Sequence, residues 1–132
     1  HELIALLSRD VTLADLTAAL GPIAQDPGAP QPVALTPRDA RLRRVDVSRD
    51  PDTGAPFTVE LELAAPVAIA RLVADLGAYR QARTDRGQPR ELYFPPAGAG
   101  PWHVVVLAHL PAGTAPIDAA ETTALTLRRD PR

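Results

Sequence analysis

Two periods of hydrophobic and polar residues run through this chain, and the switches between them mark its elements. In residues 11–21 (VTLADLTAALG) Leu13, Leu16 and Leu20 fall on one helical face. Thr12 stands where an N-cap belongs, with Asp15 three residues on as a short-armed capping box, and Gly21-Pro22 is a stop. Residues 67–77 (VAIARLVADLG) repeat the spacing through Ile69, Leu72 and Leu76 and end at Gly77. The two stretches lie 56 residues apart and are identical at six of eleven positions. Residues 2–7 (ELIALL) predict one or two further helical turns packing on the core.

Elsewhere the period is two. Residues 57–63 are the cleanest strand, with Phe57, Val59, Leu61 and Leu63 facing one way and Thr58, Glu60 and Glu62 the other. Residues 41–49 alternate in the same manner, and the turn formers of residues 50–56 (DPDTGAP) between the two predict an antiparallel hairpin with one wet face. Residues 33–35, 91–94, 102–110 and 122–128 complete the strands. Of these, 102–110 (WHVVVLAHL) is apolar on both faces and predicts a central strand, while 122–128 has Leu125 and Leu127 inward and its threonines outward. Residues 23–32 and 78–90 read as loops, 64–66 as the lead into the second helix, and 130–132 as a tail. Each half thus runs helix, short strand, strand, turn-rich loop, strand, and residues 11–63 and 67–128 read as an internal pseudo-repeat.

With 132 residues the chain fits one domain, residues 1–132, with an ordinary core. A net charge of −2 gives no global attraction for nucleic acid or an anionic membrane. All 14 basic residues are arginine, and Lys, Asn, Met and Cys are absent, the composition of a GC-rich coding sequence. Without cysteine there is no disulfide, thiol nucleophile or thiolate metal site. No apolar run approaches the roughly 20 residues of a membrane span. The chain opens at His1 with no initiator Met, as a processed or truncated product does.

A short helix closing on Leu-Gly-Pro, then a loop and a β-meander, twice in tandem, resembles the SmpA/OmlA-type outer-membrane lipoprotein module and the two-repeat β-lactamase-inhibitor-protein fold. Residues 11–22 carry the likeness, and residues 67–77 repeat it without the proline. The glycine that precedes the hydroxyl residue in that module's helix is missing before Thr12, and aromatic residues on the first strand of a repeat occur only as Tyr93-Phe94. The resemblance implies an extracytoplasmic module, periplasmic or lipoprotein-anchored, that binds other proteins rather than catalyses. It supplies no catalytic residues.

Candidate chemistry is sparse. His103 and His109 share a strand face but lie roughly 20 Å apart, too far for one metal ion. Neither serine, Ser8 or Ser48, sits in a nucleophile elbow. Glu60 and Glu62 share a strand face, as a carboxylate pair or as a solvated edge. The glycines of residues 98–102 (GAGPW) lack the helix and lysine of a phosphate cradle. Trp102 reads as a core anchor at the head of its strand, or else as an exposed contact. Residues 79–93 (YRQARTDRGQPRELY) gather Tyr79, Arg80, Arg83, Arg86, Arg90 and Tyr93, with Asp85 and Glu91 as counter-charges. Arg and Tyr dominate protein–protein hot spots, and clustered guanidinium groups suit carboxylate or phosphate partners.

The expected fold is α+β: an antiparallel sheet of about six strands with two short helices on one face, built from two αβββ repeats. The expected function is a non-catalytic protein-binding or scaffold module of the bacterial envelope, with the Arg/Tyr segment as its contact. It needs no cofactor and no metal, and its partner is another protein rather than nucleic acid. Two alternatives stand beside it: a small-ligand binder or enzyme using a cleft between sheet and helices, and an intracellular domain cut from a larger protein.

Overall fold

In the computed structural model, residues 2–24, 32–81, 90–114 and 116–131 are described. The alternating segments pair into one sheet: β1 (Val33–Leu35), β2 (Leu42–Arg49), β3 (Pro56–Ala68), β4 (Arg80–Gln81), β5 (Arg90–Tyr93), β6 (Trp102–Leu110) and β7 (Glu121–Pro131). Their order is β1-β2-β3-β7-β6-β5-β4, and every neighbouring pair is antiparallel. The sheet therefore has seven strands rather than six. The seventh is the two-residue β4, inside a segment whose sequence reads as loop. The fold is α+β, with three short α-helices among the described residues: α1 (Glu2–Leu7), α2 (Leu13–Leu20) and α3 (Ile69–Leu76).

The capping box at α2 forms as its residues dictate. The Asp15 N–H donates to Thr12 Oγ1 at 3.2 Å, and the Thr12 N–H donates to Asp15 Oδ2 at 2.9 Å. Both helix ends are closed alike, with the Gly21 N–H donating to the Thr17 carbonyl and the Gly77 N–H to the Val73 carbonyl. Gly21 (φ 146°) is irreplaceable on two counts, its positive φ and the Thr36 carbonyl lying where a Cβ would go. Gly77 (φ 104°) meets Pro95 in the corresponding place of the second half.

Cross-strand register sorts the sheet into two faces. Val33, Leu35, Val45, Val47, Val59, Leu61, Leu127, Val104, Val106, Ala108 and Leu92 face the helices and form one core with Leu7, Val11, Leu16, Ile69 and Leu72. Leu125 packs on that core half-buried, as its inward position requires. β6 is interior and buried from Val104 to Ala108, matching its continuous apolar run.

Four local readings change. β3 does not end at Leu63 but continues through Ala64-Ala65-Pro66 to pair Val67 with Thr122 and Ala68 with Glu121. A register shift between Glu62 and Val67 takes up the proline, as bulges do. Phe57 is 42% exposed, because the register shift at Ser48/Arg49 breaks the alternation that carries Val59 inward. Thr122 is buried, its hydroxyl donating to the His109 carbonyl at 2.6 Å. Asp130-Pro131 belongs to β7 rather than to a tail.

One polar group is built into the apolar side. Arg129 follows Leu125 and Leu127 inward and is 2% exposed. Its guanidinium donates to the carbonyls of Leu7 (2.9 Å), Pro56 (2.6 Å) and Arg9 (2.9 Å) and lies 4.3 Å from the Trp102 ring centre. Trp102 in turn donates its indole N–H to Asp10 at 3.0 Å and its backbone N–H to the Ser8 carbonyl at 2.9 Å. Trp102 is thus a half-buried clamp joining the segment after α1 to the sheet. The glycines of the GAGPW stretch serve the same junction, since a Cβ on Gly100 would fall on the Ser8 carbonyl.

Candidate functional site

The face of the sheet away from the helices is the candidate surface, and register lays it out in rows. One row carries Arg44, Glu62, Ala124, His109 and Glu91 across β2, β3, β7, β6 and β5. The next carries Asp46, Glu60, Thr126, Leu107, Tyr93 and Arg80 and reaches β4. A third carries Ser48, Thr58, Arg128 and Val105. The face is polar where Thr58, Glu60 and Glu62 stand, as their alternation requires, but β6 gives it an apolar centre: Val105 and Leu107 are buried outside the helix-side core.

Charge is unevenly distributed over this face. On β2–β3, Arg44 pairs with the buried Asp46 at 2.8 Å and Arg43 reaches Glu62 at 3.5 Å, while Glu60 has no ion pair among the described residues. On β7, Arg128 forms a two-bond fork to Asp130, 2.9 Å on each arm, and this bonding raises its pKa. His109 Nε2 lies 2.7 Å from Thr126 Oγ1, and its Nδ1 is 4.0 Å from Glu91 Oε1. Tyr93 donates its hydroxyl to Glu91 Oε2 at 3.0 Å, a bond that pushes the phenol pKa up.

Thr126, His109 and Glu91 have the outline of a nucleophile, base and orienting acid. Two features of its geometry differ from such a triad. The 4.0 Å gap between His109 and Glu91 is too long for the hydrogen bond that would fix the imidazole. Moreover, Thr126 lies mid-strand between β3 and β6, so the surrounding backbone N–H groups serve the sheet rather than an oxyanion. Among the described residues, no group of His, Asp and Glu is placed to hold a metal ion.

Two depressions mark the face. One, of about 280 Å³, is lined by Arg44, Asp46, Glu60, Glu62, His109 and Thr126. The other, of about 570 Å³, lies over β4–β6 and is bordered by Arg80, Tyr93, Pro95, Pro96, Val105 and Arg128.

The Arg/Tyr segment is divided by the fold. Arg80 and Tyr93 are register partners on the open face. Tyr79 turns to the helix side, edge-on to Phe94 with ring centres 6.1 Å apart, and donates its hydroxyl to Asp118 at 2.6 Å. Arg90 is half-buried opposite Leu110, and its Nε is buried without a hydrogen-bond partner among the described residues. Arg83 and Arg86 lie outside the described residues. His103 and His109 share the open face, at opposite ends of β6.

Sequence alternation alone could have put Arg128 on the face opposite the core, because Leu125 and Leu127 fix the parity of β7. The rows joining β3 to β7 depend on a pairing between the two halves that no local pattern specifies. No protein family, curated protein or solved structure matches this chain. Among the described residues, no helix is long and apolar enough to cross a membrane.

Proposed function

We propose that this chain is a non-catalytic protein-binding module whose contact surface is the open face of its sheet. The observation that carries the reading is the one-sided cover: α1, α2 and α3 pack on one face, and the other presents the half-buried Tyr93 beside the buried Val105 and Leu107, bordered by fixed charges. Such a centre-and-rim arrangement is what a protein interface requires. Two depressions lie on that face and give a partner relief to engage. Of the Arg/Tyr set, Arg80 and Tyr93 belong to this contact.

The reading includes an internal duplication. Its support is that α2-β1-β2-β3 and α3-β5-β6-β7 run in the same order and meet antiparallel at β3–β7 in mid-sheet. Ile23, just past α2, bridges to Leu35 as β4, just past α3, pairs with β5. Placement in the bacterial envelope, in the manner of the SmpA/OmlA-type module, is part of the same proposal and rests on sequence resemblance. The test is capture of proteins from envelope and soluble extracts by the wild-type chain and by Glu60→Arg/Tyr93→Ala. Loss of a specific protein from the variant supports the reading, and identical retention refutes it.

A further inference from the structure

We infer that the groove beside Arg80 receives an extended segment of the partner protein, one that carries an aromatic or branched apolar side chain close to a carboxylate. That the occupant is a protein segment rests on the reading of the open face given above.

The groove has about 570 Å³, within the range of sites that hold a large side chain and its neighbours. Its apolar surface is preset. Val105 is buried at the centre, Tyr93 is pinned through its hydroxyl to Glu91, and Pro95-Pro96 form a stiff wall. An apolar side chain entering it meets groups that lose little freedom, the condition for useful affinity. The groove is nevertheless partly open to solvent, so a free small molecule would stay partly wet. A segment tethered to its own folded domain draws further contacts from the rest of the sheet.

Charge at the rim decides what accompanies the apolar group. Arg128 is committed to Asp130 by both arms of its fork. Arg80 is exposed and has no carboxylate partner among the described residues. Among the described residues the groove therefore offers one uncommitted guanidinium beside an apolar floor, and the complement is a single carboxylate. Asp46 and Glu62 on β2–β3 already have Arg44 and Arg43, and Glu60, without an ion pair among the described residues, disfavours a carboxylate on that half of the face, so the segment lies over β4–β6. Val105 and Arg80 are two strand spacings and one row apart, roughly 12 Å. In an extended segment, side chains two residues apart share a side about 7 Å apart, and the arginine side chain spans the remainder. The expected pattern is apolar–x–acid.

The experiment is an amide-resolved NMR titration of the full 132-residue chain with acetyl-Gly-Phe-Ser-Asp-Gly-amide and its Asn and Lys counterparts at the Asp position. The Asp peptide should shift the amides of Tyr93, Val105 and Arg128, with a midpoint roughly threefold lower than the Asn peptide, the size of an exposed ion pair. Arg80→Gln, a surface change that leaves the fold intact, should equalise the two. Absence of shifts at those amides, or equal midpoints in the wild type, overturns the inference. The two readings fail separately. If Glu60→Arg abolishes protein capture while the peptides leave the groove untouched, the protein-contact reading stands and this one falls. Peptide binding in the groove, with capture indifferent to every open-face change, reverses that outcome.

Discussion

Replacing Arg129 with Met tests the junction between α1 and the sheet. The substitution keeps an unbranched stem of similar reach and removes the guanidinium, so the carbonyls of Leu7, Arg9 and Pro56 lose their donors together. Hydrogen bonds to a charged donor contribute about 1.5–3 kcal/mol each. Stacking of the guanidinium on Trp102 adds roughly 1 kcal/mol. Against this, the variant no longer desolvates a cation, a cost of several kcal/mol; the same burial lowers the Arg129 pKa. The net loss should be about 3 kcal/mol, the size seen when one partner of a buried polar constellation is removed. For a chain of this length that is a fall of roughly 12 °C in Tm. Thermal and urea denaturation followed by circular dichroism would measure it, with Trp102 fluorescence as a second probe. Hydrogen exchange should show the Trp102 amide, bonded to the Ser8 carbonyl, losing protection first. A loss below about 1 kcal/mol with Trp102 still protected would refute the reasoning, since α1 would then be held by its apolar contacts alone.

Further predictions concern the cap and the glycines. Thr12→Ala should cost roughly 1 kcal/mol in urea denaturation, with the far-UV helix signal reduced. Hydrogen bonds from the Thr12 backbone N–H and then the Thr12 hydroxyl hold the Asp15 pKa below its usual 3.8, and the Arg41 side chain holds Asp39 at about 2. A depressed carboxylate pKa contributes stability in full above its unfolded value, and that contribution is lost as pH falls through the folded one. The stability difference between wild type and Asp15→Asn should therefore be present at pH 6 and shrink below pH 3.8; a pH-independent difference would contradict the assignment. Gly100→Ala should destabilise by about 1–3 kcal/mol through its collision with the Ser8 carbonyl. Gly54→Ala, at φ 71° with open space around it, should cost about 1 kcal/mol, from backbone conformation alone. Equal costs at the two positions would show that close approach of Ser8 is not what requires Gly100.

The parts of this fold that the sequence made legible are those set by neighbours in the chain. The Thr12–Asp15 box, the glycine stops and the strands through Val59, Leu61, Val104 and Leu127 follow from local spacing. What escaped depends on distant partners. Ala64-Ala65-Pro66 carries no alternation and contains a breaker, yet the strand survives because Thr122 and Glu121 pair beyond the shift. β4 is too short to show any period. Arg129 reads as the polar end of a strand, while its acceptors come from residues 73 to 122 positions away. The candidate site divides in the same way. Arg80 and Tyr93 were visible as residue types, but only the β4–β5 register sets them side by side and sends Tyr79 to the other face.

The open face as the site of protein contact is tested most directly by placed cross-linking, since the chain has no cysteine of its own to interfere. A photo-cross-linker would be attached at Glu60→Cys on the open face or at Ala74→Cys on the exposed side of α3, and each chain illuminated in an envelope extract. The account predicts a discrete protein adduct from position 60 and none from position 74. Adducts that are the same from both positions, or that arise from position 74 alone, would contradict it.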